Sequence, residues 1–243
     1  MSATAAMLVI GDEILSGKTK DKNVGVLADA LTLIGIDLIE VRIVSDDEPA
    51  IIDALNALRP RATYVFTSGG IGPTHDDITA DAVAKAFGVS IDVDPRARAV
   101  LSDWYDKTGR EMNAARLRMT RIPQSADLID NPVSAAPGFK IGNVHVMAGV
   151  PAVFQAMLNA VLPTLEGGVP FEQKVLPFNC GEADLAEGLN AIVAAFPTVS
   201  IGSYPKLIDG RFSVEIVLRS RDARALDEAN EAAQKLRTQL DAA

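Results

Sequence analysis

Cysteine is nearly absent, with Cys180 the only one in 243 residues. A single thiol excludes an intrachain disulfide and a thiolate metal cluster. Its surroundings, Phe178-Asn179-Cys180-Gly181, contain no basic group, so it reads as a packing residue rather than a reactive one. Positive charge is scarce too: 23 Lys and Arg stand against 32 Asp and Glu, a net charge of −9. Phosphate backbones need a basic face, so nucleic acid is not an expected partner. A small phosphorylated ligand held by amides and a metal is not excluded. No charged n-region opens the chain, and its first apolar run meets Asp12 too soon for a signal peptide or a membrane span. The expectation is a cytoplasmic protein with no membrane partner. The composition that remains is ordinary, 48% hydrophobic and 23% charged, and supports one substantial core with a small second unit.

The most informative stretch is Thr67-Ser68-Gly69-Gly70-Ile71-Gly72-Pro73-Thr74-His75-Asp76-Asp77-Ile78-Thr79. It follows an apolar, β-rich run, Tyr64-Val65-Phe66, and precedes the helical spacing of Ile78, Val83, Ala86 and Phe87. This is a strand–loop–helix corner of an α/β fold, and such corners lie at the carboxyl edge of a parallel sheet, where ligands bind. Its glycines let the backbone take positive φ and come close to a ligand. The helix start beyond them favours an anion through free amides and the helix dipole. Asp76 and Asp77 share the corner. Carboxylates repel a phosphate unless a cation stands between them, so the combination suggests Mg²⁺-assisted phosphate chemistry. The plainer reading is an Asp cap beside a Gly-Gly tight turn. The loop is neither G-x-G-x-x-G nor G-x-x-x-x-G-K-[ST].

Residues 5–10 read as a continuous apolar strand that runs into Gly11-Asp12-Glu13, a second acid pair at the same sheet edge. Spacing predicts a helix over 23–34 stopped by Gly35, a strand over 36–44, and a helix opened by Ser45-Asp46-Asp47-Glu48-Pro49, with Asp46 or Asp47 as cap. The helix over 78–87 closes at Gly88, and Asp94 caps the next. The Arg-rich stretch 110–121 is expected to be helical, with Arg116, Arg118 and Arg121 on a solvated face or within reach of a phosphate. Trp104 reads as core. Turn signals at Asn131-Pro132 and Pro137-Gly138 interrupt the helical period, and a hairpin is expected across Gly142-Asn143. His145 alternates with apolar residues there and reads as a hydrogen-bonded structural histidine, whereas His75 lies inside the loop where it can touch ligand. The element order is that of a doubly wound sheet. Beyond a linker at 166–170 come a strand, a helix, two strands and a helix.

The string T-S-G-G-I-G-P-T-x-D-D-I-T at 67–79 resembles the signature loop of the molybdopterin-binding (MoCF) domain family. That family includes the molybdenum cofactor biosynthesis proteins, gephyrin and the N-terminal domain of competence/damage-inducible protein A (CinA). G-D-E-I-L-x-G at 11–17, with Asn23 shortly after, resembles the first motif of the CinA branch. Residues 131–139 resemble the family's N-P-x-G-x-A-P-G-F loop, with Ser134 in place of the usual Gly. The later P-G-V-P-x-E-M pattern is altered, with Ala148 for Pro and Val153-Phe154 for Glu-Met. The resemblance implies a three-layer αβα, doubly wound, mostly parallel sheet over residues 1–166 and a small α+β KH-like domain over 173–243. The latter lacks the G-x-x-G loop of RNA readers and reads as a packing or dimerisation unit. Full CinA chains continue into an amidase domain, which is not expected here.

For function, the resemblance implies a metal-dependent pyrophosphatase acting on ADP-ribose or a related nucleotide diphosphate. Molybdopterin adenylation or molybdate insertion is one alternative, and a non-catalytic binding module is another. Carried onto this sequence, Asp77, Asp46 and Asp12 are the expected catalytic residues, and Asp12 and Asp77 hold a divalent metal, Mg²⁺ or a transition metal. The expected ligand and phosphate contacts are Gly11, Glu13, Ser68, Gly69, Gly70, Gly72, Pro73, Thr74, Asp76, Thr79, Asn131, Pro137, Gly138 and Gly149. The loop amides of 69–74 are expected to hold the diphosphate, and the chain to form a homo-oligomer, dimer or trimer.

Overall fold

β1 (Thr4–Ile10) is buried almost throughout, and its alternate residues serve two cores. Ala6, Leu8 and Ile10 pack on one side of the sheet, Ala5, Met7 and Val9 on the other. A strand with no polar face must be covered on both sides. In the computed structural model, which describes residues 3–208 and 211–241, the chain divides into two units, Met1–Gly168 and Val169–Ala243.

In the first unit β1 is flanked in parallel by β2 (Asp37–Val44) and β3 (Tyr64–Ser68). A short antiparallel pair, β4 (Ile91–Val93) with β5 (Arg121–Pro123), stands apart from this sheet. The main sheet continues through β6 (Asp127–Ile129), β7 (Gly138–Ile141) and β8 (Val144–Met147), in the order β2-β1-β3-β8-β7-β6. β8 is parallel to β3, β7 runs antiparallel to β8, and β6 is antiparallel to β7 and so runs with the parallel strands again. The short α1 (Asp12–Leu15) leads to α2 (Asn23–Leu33), which buries Leu27 and Leu31 on one face of the sheet. On the opposite face α3 (Glu48–Leu58) buries Ile51, Leu55 and Leu58, and α4 (Thr79–Phe87) buries Val83. α5 (Pro95–Thr108) and α6 (Ala114–Arg118) follow. α7 (Pro151–Val161) joins α2, burying Phe154, Met157 and Leu158. The result is the expected αβα sandwich on a mostly parallel sheet. Both acid-bearing loops leave parallel strands at their carboxyl ends, after β1 and after β3.

In the second unit β9 (Glu172–Phe178), β10 (Ser200–Ile208) and β11 (Arg211–Ser220) form an antiparallel sheet of order β10-β11-β9. Leu176, Phe178, Val214, Ile216 and Leu218 pack there with Leu185 of α8 (Glu182–Ala195) and Leu226 and Ala229 of α9 (Ala223–Asp241). A Cβ at Gly188 would lie 2.4 Å from Leu236 Cδ1, so this glycine lets α8 and α9 approach closely. Cys180 packs against the same core, and burial, then the charges of Asp184 and Asp241, push its thiol up. That agrees with a packing role. Among the described residues no helix is long and apolar enough to cross a membrane.

Two expectations are corrected. The stretch 110–121 is not one helix: left-handed Gly109 (φ 66°) ends α5, and the Asn113 side chain accepts the Arg116 N–H to start the short α6. Arg121 already belongs to β5, paired with β4. His145 is structural, buried beside the Val65 and Asn143 backbone but without a well-aligned hydrogen bond. It is 1% exposed, stacks on Phe66 at 5.1 Å between ring centroids, and neither ring nitrogen finds a partner.

Candidate functional site

β3 delivers Gly69 and Gly70 to the sheet edge, both with positive φ (109° and 70°). A Cβ at Gly69 would lie 2.2 Å from the Ile10 carbonyl oxygen, and one at Gly70 2.0 Å from Thr79 Oγ1. Only glycine therefore lets the loop lie this close to the end of β1 and the start of α4. Thr79, fully buried, ties the loop to the helix: its N–H donates to the Gly70 carbonyl and its hydroxyl to that of Gly69, both at 3.0 Å.

The Asp77 carboxylate sits within the loop. It accepts the Gly72 N–H at 2.6 Å, the Thr74 N–H at 2.8 Å and the Thr74 hydroxyl at 2.5 Å. The loop thus binds an anion of its own, which leaves only part of the amide set 69–74 open to the diphosphate expected there. Gly72 and Thr74 are committed to Asp77, Gly69 donates to Met147, and Pro73 has no N–H. The geometry makes Asp77 the organiser of the loop, and three hydrogen bonds occupy part of the lone-pair capacity that the expected metal ligation would use.

The acids that converge are others. Asp46, in the turn between β2 and α3, accepts the Asp12 N–H at 2.9 Å. Its neighbour Asp47 is the helix cap, accepting the Ala50 N–H, which decides between the two. Burial raises the Asp46 carboxyl above its usual range, and the charges of Asp12, Glu13 and Asp76 push it further, against the lowering effect of the Asp12 N–H. Glu13, Asp46 and Asp76 line a cavity of about 410 Å³ together with Gly69, Gly70, Gly72, Asp77, Asn131 and Gly149. Val153, at the position where the family pattern has Glu, adds an apolar wall, while Phe154 is fully buried core.

Other expected contacts serve as framework. Gly11 donates its N–H to the Val44 carbonyl. Ser68 accepts from Asn23 Nδ2 at 2.7 Å, and the same amide reaches the Gly149 carbonyl at 2.8 Å. Asn23 thereby holds α2, the end of β3 and the loop before α7 together. No local pattern announced that role beyond its place after the first motif. Asn131 is saturated by its own loop: Nδ2 donates to Ser134 Oγ and the Ala136 carbonyl, and Oδ1 accepts from Val133 and Ser134. With Ser134 in place of the glycine, the positive φ falls on Ala135 (60°). A Cβ at Gly138 would lie 2.2 Å from the Val146 carbonyl oxygen, so glycine here allows close strand packing. Pro137 lies beside a small cleft next to Gly70 and Arg118.

The three arginines separate. Arg121 grips Asp81 through two bonds of 2.7 Å. Arg116 lies over the Tyr105 ring at 4.6 Å and donates to the Glu111 carbonyl. Exposed Arg118 has one long contact, 3.4 Å to the Asp77 carbonyl, at the cleft shared with Gly70 and Gly72. Its remaining donors would face a ligand bound at this loop. His75 is exposed, 3.9 Å from Asp76.

Among the described residues no three His, Cys, Asp or Glu side chains form a ready metal cage. Mg²⁺ commonly takes one or two carboxylates and completes its shell with water and substrate phosphate. Burial is the main cause that raises Asp46, and a divalent ion would offset the smaller part that comes from the charges of Asp12, Glu13 and Asp76.

Residues 6–167 match the family described as probable molybdopterin binding domain, and residues 170–242 match that described as FAD synthase, middle domain. A protein of Archaeoglobus fulgidus is 32% identical over 200 residues, 82% of this chain and 85% of its own. A CinA-like protein of Citrifermentans bemidjiense is 34% identical across 98% of this chain, which spans 58% of that protein. Among solved structures, the protein CinA with unknown function from Thermoplasma acidophilum superimposes with a TM-score of 0.62 at 33% identity, covering 67% of this chain and 98% of that one.

Proposed function

The chain belongs to the CinA-like molybdopterin-binding domain family, and from that premise we propose that it is a metal-dependent pyrophosphatase acting on ADP-ribose or a related nucleotide diphosphate. The observation that carries this reading is the convergence of Asp12, Glu13 and Asp76 on a half-buried Asp46 beside a glycine loop. Burial first and then like charge raise Asp46, and a cation with a polyanion would relieve the second of these. The match of residues 170–242 to a FAD synthase domain adds support for a nucleotide ligand.

In this reading water and ADP-ribose give AMP and ribose 5-phosphate. One or two of the carboxylates around Asp46, with water and the diphosphate itself, would hold the divalent ion, which supplies charge neutralisation there. Asp46, whose raised pKa makes it the more ready base, takes the proton of the water that attacks phosphorus in line. Arg118 neutralises phosphate oxygens from the loop side. Asp77 keeps Gly72 and Thr74 in place, and the apolar Val153 wall limits water. A second reading, molybdopterin bound in the same cavity, draws on the description of the family itself.

The test is AMP release from ADP-ribose, FAD and ADP-glucose with Mg²⁺, Mn²⁺, Co²⁺ or Ni²⁺ and with chelator. Metal-dependent AMP release from at least one of them is expected. If none is hydrolysed with any metal, the pyrophosphatase reading fails, and calorimetric binding of molybdopterin then separates a cofactor-handling protein from an empty pocket.

A further inference from the structure

β2 ends the six-stranded sheet, with β1 on one side and, among the described residues, no strand on the other. Exposure alternates along it. Ile39, Val41 and Ile43 are 47, 37 and 43% exposed, and Glu40 and Arg42 between them are partly buried on the other face. A long edge carrying exposed β-branched residues is a template for strand addition, which proteins commonly block with lysine, proline or a very short strand. β2 runs for eight residues with neither lysine nor proline. Its irregularity lies near the start, opposite Ala5 and Ala6, and leaves 40–44 in regular register.

The strand is also self-complementary. Laid antiparallel against a second copy about a two-fold axis through Val41, its regular part sets Val41 against Val41 and Glu40 against Arg42, while Ile39, at the irregularity, lies at the margin of the pairing beside Ile43. An axis through Glu40 or Arg42 would oppose like charges, and a shift of half a step would set charges against apolar side chains. One register therefore pairs opposite charges twice and keeps the apolar residues together. Glu40 and Arg42 already bond along the strand at 2.7 Å, and Arg61 joins Glu40 at 2.7 Å, so the charges of two copies would merge into one network.

We infer that two copies of the chain associate through β2, edge to edge and antiparallel about Val41, in an isologous two-fold dimer with one sheet continuous across both. This gives the expected homo-oligomer a surface and a stoichiometry, and it does not depend on the hydrolase reading.

Sedimentation of the full chain from low to high micromolar concentration tests it. The wild type is expected to form dimers and Val41→Lys to remain monomeric. Arg42→Glu should raise the dissociation constant about tenfold or more, because it opposes carboxylates twice, and Glu40→Arg combined with Arg42→Glu should restore it. Circular dichroism on each variant separates loss of pairing from loss of fold. In a Cys180→Ser background a short thiol crosslinker should join copies carrying Val41→Cys far better than copies carrying Ile39→Cys or Ile43→Cys alone. A wild type that stays monomeric throughout, or a dimer indifferent to Val41→Lys or crosslinking best at 39 or 43, overturns the proposal.

Discussion

On the loop side of the cavity, Asp77 accepts three short hydrogen bonds from Gly72 and Thr74. Across from the loop's own network, Asp46 accepts one, from the Asp12 N–H, and feels the charge of three other carboxylates. The first acid is satisfied by its neighbours, and the second is strained by them. The difference teaches which is structural and which is poised. A carboxylate that saturates loop donors stabilises the apo protein, whereas one held against burial and like charge destabilises it and awaits a counter-charge.

Replacing each acid should break the comparison most visibly. Asp77→Ala leaves the Gly72 and Thr74 donors unpaired, and should lower unfolding free energy in urea by about 2 kcal/mol while abolishing turnover. Asp46→Asn keeps an oxygen for the Asp12 N–H but loses the charge. AMP release should fall by about 100-fold or more, with a melting temperature equal to or above wild type at neutral pH. If both variants lose stability alike, the contrast between the two acids is wrong.

Acid sharpens the contrast through sign. The Asp46 carboxyl is raised in the folded state, so its contribution is fully present below the unfolded value of 3.8 and is lost as pH rises through the folded pKa. The melting advantage of Asp46→Asn should therefore vanish in acid. His145 runs the other way. Burial holds it at about 4 against an unfolded 6.5, so its contribution is present above 6.5 and is lost as pH falls toward 4. That shift corresponds to about 3 kcal/mol. His145→Phe, which preserves a ring against Phe66, should flatten that part of the stability profile; an unchanged slope would show that other groups carry it. The smallest effect is expected at Arg118, where Ala should raise KM about tenfold with little change in melting temperature. Arg121→Ala, which breaks the Asp81 pair, should instead alter stability with KM nearly constant.

Much of the fold was legible because it is periodic. The apolar run of β1, the strand–loop–helix corner after β3, and the order of the second unit follow from local spacing and turn residues. That the two acid-bearing loops meet was legible for the same reason, since glycines and acids end both strands at one sheet edge. Individual roles were not. Nothing near Asn23 indicates that its amide spans 126 positions to the Gly149 carbonyl. The loop-organising role of Asp77 was not legible, because a carboxylate that folds a loop and one that holds a metal share the same neighbours. The arginines of 116–121 could be sorted only once Tyr105 and Asp81, which occupy two of them, were in place.

The central claim is that the acids around Asp46, and not Asp77, form the reactive wall. It is tested most directly by measuring Mg²⁺-dependent AMP release from ADP-ribose by wild type and Asp46→Asn at matched folded concentration. Turnover by the wild type that collapses in Asp46→Asn without loss of melting temperature is the expected result. Undiminished turnover in Asp46→Asn, or an inactive variant that is also unfolded at temperatures where wild type is intact, would contradict it.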